Sequence, residues 1–198
     1  LTWLFEQRRK APSHFHARAR NARFSAAFLW RAMDNADCSY LAEEISYGGN
    51  PKMALYASFQ REAAISLELI IKAVIAIQIE RGVAAQHVND LRATHDLTTL
   101  WRDAGLPKLA KPEQRCLVYA KQIMLWAGRY PTPTREDAYE REEAEMEGLH
   151  EVVGRLGKFP IIQAGGYMTW ETVDKVFSFA SDEFHRIYIL PVATIPRP

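Results

Sequence analysis

A chain of 198 residues is sized for one domain with some decoration, which excludes a multidomain assembly. Its apolar fraction of 48 % and charged fraction of 25 % match the globular average, so disordered, collagen-like and low-complexity classes are excluded as well. The 25 basic and 24 acidic side chains leave a net charge of +1. No whole-molecule field therefore draws the chain toward nucleic acid or anionic membrane, and any such surface must be local.

Residues 1–22 read as a basic N-terminal arm. Arg8, Arg9, Lys10, Arg18 and Arg20 are interleaved with His14, Phe15 and His16, a composition able to grip a nucleic-acid backbone or a dimer partner. Residues 1–5 are apolar, but Glu6, Arg8, Arg9 and Lys10 follow too soon for a signal-peptide core. The two cysteines, Cys38 and Cys116, are too few for a disulfide framework and lack zinc spacing, so a reducing, cytoplasmic setting is expected.

From residue 23 to 45 the spacing of Ala26, Leu29, Trp30, Met33, Ala36 and Tyr40 predicts one helix. Residues 53–81 contain neither Gly nor Pro and predict a helix of about 42 Å at 1.5 Å per residue. Its second half is apolar on most sides, which a helix tolerates only when neighbours surround it, so it is expected at the centre of the bundle. Interruption by Glu68, Lys72 and Gln78 and a length below the roughly 20 apolar residues of a span argue against membrane insertion.

Thr94 is the expected N-cap of a short helix, with Asp96 at its positive end and Gly105 as its left-handed stop. Pro112 opens the next helix, which presents Leu117, Ala120, Met124 and Ala127 on one face. Residues 129–168 read as an irregular insertion that includes one partly exposed helix over 136–156. No strand pair is expected. Thr169 and Glu171 begin a last amphipathic helix that ends before Pro191. The expectation is an all-α chain, a bundle of four to five main helices over 23–190 around the long central one, with a tail at 191–198.

Three segments in this order carry a resemblance. The first is Ala63, Ala64, Ile65, Ser66, Leu67, Glu68, Leu69, Ile70, Ile71, Lys72 and Ala73, a small-rich helix with Glu then Lys. The second is His95, Asp96 and Leu97 followed by Leu100 and by Ala104, Gly105 and Leu106; the third is Trp126, Ala127, Gly128, Arg129, Tyr130 and Pro131. Together they resemble the HEPN superfamily of helical domains from prokaryotic nucleotide-linked and defence systems. The resemblance implies a helical bundle, often a homodimer, whose active members cut RNA with an Arg followed four to six residues later by a His. Arg81 and His87 have that interval.

The residues themselves offer both chemistry and plain structural roles. His95 beside Asp96 invites acid/base work near neutral pH, although adjacent helical residues do not face each other and a helix-start cap is the simpler role. Glu68 and Lys72 have the one-turn spacing of an ion pair, either internal or lining a groove. Trp126, Arg129 and Tyr130 could stack on a base and hold a phosphate, while Arg92 and Arg102 could form a cationic rim around His95. The acidic stretch 136–147 with His150 lacks the ligand spacing of a metal site, and neither a nucleophile motif nor a glycine-rich phosphate loop occurs, so no metal or cofactor is expected. The resulting expectation is a binding or regulatory module for RNA, a nucleotide or a partner protein. Its rivals are a metal-independent endoribonuclease using Arg81, His87 and His95, and a structural oligomerisation domain.

Overall fold

Pro12 stands at the start of helix α1 (Pro12–Asn35), where its missing N–H costs nothing and its fixed φ suits the helix. The computed structural model describes residues 10–35, 37–85, 88–127, 136–163 and 166–189. A short helix α2 (Ser39–Glu44) leads into α3 (Pro51–Glu80), 30 residues long. The Asn50 side-chain oxygen caps α3 by accepting from the Lys52 N–H at 2.9 Å and the Met53 N–H at 3.4 Å, and Gly82 comes just after its end at φ +67. Then come α4 (Leu97–Asp103) and α5 (Lys111–Gln122), the latter prolonged by a π turn over Ile123–Ala127. Helix α6 (Glu136–Leu149), strands β1 (Glu151–Leu156) and β2 (Phe159–Gln163), and helix α7 (Trp170–Tyr188) complete the order.

As its apolar circumference requires, α3 is the hub, with α1, α4, α5 and α7 packed around it. Helix α1 runs antiparallel along α3, bringing Trp30 within 4.9 Å of the Phe59 ring. Buried Ala19 and Ala26 face the same core as Ala63 and Ala64, and small side chains allow two helix backbones to approach closely. Helix α7 lies parallel to α3. The Tyr56 hydroxyl donates to the Met168 carbonyl near one end, and Arg81 Nη2 donates to the Tyr188 carbonyl at the other. Among the described residues, no helix is long and apolar enough to cross a membrane.

Several expectations change. The basic stretch read as an arm is, from Pro12 onward, the first half of a core helix: Ala19 and Ala22 are buried while Arg18 and Arg20 stay exposed. The helix expected over 23–45 is two helices, because the Asp37 carboxylate accepts the Ser39 N–H at 3.0 Å and starts a new helix there. The helix expected over 136–156 stops at Leu149, and the stretch expected to be irregular contains an antiparallel hairpin. Leu156 pairs with Phe159 across a two-residue turn, Gly157 supplies φ +60, and the register shifts between Val152 and Gly154. β-Branched Val152, Val153, Ile161 and Ile162 suit strands. The chain is therefore mostly helical with a small two-stranded sheet.

Candidate functional site

Most residues on the middle turns of α3 are aliphatic and wholly buried, among them Leu67, Ile70, Ile71 and Val74. Glu68 sits among them at 5 % exposure, and a carboxylate so placed needs charged or hydrogen-bonding partners. It has two. Lys72, one turn along α3, donates from Nζ to Oε1 at 2.6 Å, and His95 Nδ1 lies 2.7 Å from Oε2. An ionised carboxylate only accepts, so Nδ1 carries the proton and donates. The imidazole is thereby held in one tautomer and one direction. Its side chain is 43 % exposed, and among the described residues no hydrogen bond engages Nε2.

The loop before α4 delivers His95 to this position because the next residue is anchored. Asp96, rather than the expected Thr94, is the N-cap of α4. Its Oδ1 accepts the Thr99 N–H at 3.1 Å and its Oδ2 the Thr99 hydroxyl at 2.9 Å, whereas Thr94 supports it by accepting the Asp96 N–H at 3.1 Å. Burial pushes the Asp96 carboxyl up, but the two hydrogen bonds from Thr99 and the nearby Lys121 outweigh it and hold the group below its ordinary value. His95 and Asp96 thus do not pair with each other: one serves the α3 carboxylate and the other the helix start.

We expect Asp96→Ala to remove about 1 kcal/mol of stability at neutral pH. Because the folded pKa is depressed, that contribution is present above the ordinary Asp value and fades as pH falls through the folded one. Urea unfolding of both proteins at neutral and at acid pH checks this: the difference should shrink in acid.

Asp96 also lines a cleft of about 420 Å³ with Thr98, Val118, Lys121, Glu145 and Leu149. Its wall is an ion pair, Lys121 Nζ donating to both Glu145 oxygens at 2.6 and 2.8 Å, with the Gln122 amide on the same carboxylate. The sequence carried no signal for this pairing, since 23 and 24 residues separate the partners.

The other described site residues do not join this cluster. Arg92 pairs with the buried Asp103 at 3.3 Å, and Arg102 is exposed. Arg81 is the C-cap of α3, 13 positions beyond Glu68 and about 20 Å along the helix axis at 1.5 Å per residue, and its guanidinium reaches Tyr188. The structure therefore joins Glu68, Lys72 and His95 but sets Arg81 apart from them. Trp126 falls in the π turn that ends α5; His87, Arg129 and Tyr130 lie outside the described residues. Cys116 offers no nucleophile, because complete burial, with Glu113 nearby, pushes its thiol up to about 12.

Comparison with protein-family models, with curated proteins and with solved structures gives no match.

Proposed function

We propose that this chain is a HEPN-like helical binding module of a nucleic-acid-linked or defence system, paired as a homodimer, that receives the phosphate-bearing face of RNA or a nucleotide at His95. The observation that carries this reading is the Glu68 carboxylate holding His95 Nδ1 at 2.7 Å and Lys72 Nζ at 2.6 Å. A buried ion pair on a core helix is weak evidence for stability, since well-packed apolar side chains often do as well. What this one does accomplish is to aim a half-exposed imidazole outward with Nδ1 taken by the carboxylate, which leaves Nε2 to meet the ligand, as a donor to phosphate oxygen in the protonated ring. The Trp126, Arg129 and Tyr130 segment, which sets aromatic residues close to an arginine in the sequence, adds sequence support. Dimerisation draws support from the hairpin, where Val152, Val153, Leu156, Phe159, Ile161 and Ile162 are all exposed.

Binding is favoured over cleavage because general acid/base work on a phosphodiester calls for a charge-stabilising group close to the base, and Arg81 is about 20 Å from Glu68 along α3. The Glu68–His95 dyad keeps the endoribonuclease as the second reading. Fluorescence anisotropy with labelled mixed-sequence RNA and with nucleotides, run beside electrophoresis of the same RNA, separates the two. The expected result is saturable binding weakened about tenfold or more in His95→Ala, a loss of roughly 1.4 kcal/mol or more, with the RNA intact. Cleavage that disappears in His95→Ala would replace the binding reading with the nuclease. Absence of binding, or identical binding by His95→Ala, would remove His95 from the site. Light scattering on the intact chain should give twice the monomer mass.

A further inference from the structure

We infer that His16 is a pH-sensitive latch between α1 and α7, closed at neutral pH and released in mild acid so that the first turns of α1 lift from the bundle. The imidazole of His16 lies flat on the Phe184 ring, with centroids 4.4 Å apart and planes 6° from parallel, and meets His185 edge-on at 5.0 Å. Tyr188 continues the stack from Phe184 at 5.8 Å. Nε2 of His16 is buried and, among the described residues, has no hydrogen-bond partner. A neutral ring suits that place, since its faces contact aromatic surface. A protonated one would put a charge where no acceptor waits.

Among the described residues, the surroundings contain cations and no available carboxylate. From α1 itself comes Arg20, one turn along; α7 contributes His185, whose Nδ1 is tied to the Ser181 carbonyl at 2.8 Å. The end of α3 contributes Arg81, whose guanidinium caps the Tyr188 carbonyl. Of the two acidic side chains on that stretch of α7, Asp182 is exposed to solvent and Glu183 is held by Arg186 through two bonds of 2.7 Å; Asp90 beside the start of α1 is held by Lys10 at 3.0 Å. Burial first, then His185 and Arg20, lower the His16 imidazole from its ordinary value of 6.5. The released helix therefore binds more protons than the docked one. Docking is at full strength above the ordinary imidazole value and weakens as pH falls below it.

Other contacts hold the rest of the bundle when this one opens. The core of α3 and α7, with Ile70, Val74, Val176 and Phe177 wholly or almost wholly buried, contains no titrating group at those positions. Further along α1, Arg23 is paired with Asp174 and covers the Phe177 ring at 4.8 Å. Opening is thus confined to the first turns of α1 and uncovers the buried ring of Phe184.

Hydrogen exchange of the full chain at about pH 7.5 and about pH 5.5, expressed as protection factors, reads the latch directly. Amides of residues 13–20 should lose protection at least about threefold in acid, while those of 63–77 keep theirs. His16→Phe retains the stack on Phe184 but cannot titrate, and its protection should not change between the two pH values. A native profile that does not change over 13–20, or a loss that persists in His16→Phe, overturns the proposal. Should that variant fail to fold, an NMR titration of His16 in the native chain decides: titration at or above the ordinary imidazole value overturns it, and titration below supports it.

Discussion

Glu68→Ala should lower the unfolding free energy by about 3 kcal/mol, toward the lower end of what breaking a buried ion pair costs. The change leaves the Lys72 ammonium, whose side chain is only 13 % exposed, without its partner at 2.6 Å and frees the His95 ring from its anchor. Its loss is set by the charge left behind rather than by the attraction removed. For that reason Glu68→Leu combined with Lys72→Met, which fills the same space with apolar atoms, should recover most of the deficit while leaving His95 undirected. Urea unfolding followed by circular dichroism tests both. An Ala variant within about 0.5 kcal/mol of the native chain, the range of ordinary surface changes, would mean that water already screens the pair and that the cluster is no part of the core.

Phe59→Ala is the other large effect expected, a loss of about 3–5 kcal/mol, typical for emptying a Phe-sized volume in a core. Phe59 is wholly buried, touches Trp30 of α1 at 4.9 Å and Tyr56 at 6.0 Å, and so ties the first helix to the hub. Against a total stability of about 5–15 kcal/mol for a domain, this one truncation approaches the margin. Phe24→Ala is the matched control. Its ring is 74 % exposed on α1, and its loss should stay within about 0.5 kcal/mol. Equal losses at the two positions would mean that Phe24 is covered in solution by a partner or a second copy.

The helices were legible where the apolar pattern runs long. The hub expected over 53–81 is α3 at Pro51–Glu80, shifted only by the Asn50 cap and by Pro51 at its start. The last helix begins at the expected Thr169 cap, whose hydroxyl accepts the Thr172 N–H at 3.3 Å. Gly105 closes α4 at φ +62, as a left-handed stop should. The hairpin does not follow from the apolar rhythm, although Gly157 and the β-branched residues around it suit one. The helical spacing of Met146, Leu149, Val153 and Leu156 continued past the real end of α6, and so short an apolar rhythm does not distinguish the last turn of a helix from the first residues of a strand.

For the candidate site, local spacing was enough to pair Glu68 with Lys72, because four residues make one helical turn. No local rule could bring His95 to Glu68 across 27 positions, His16 to Phe184, or Lys121 to Glu145. Composition and periodicity already decide that this chain folds around one greasy helix. Which charges meet is decided by how α4, α5 and α7 dock on that helix, since a contact between distant residues depends on packing angles and loop closure that no short window of residues contains.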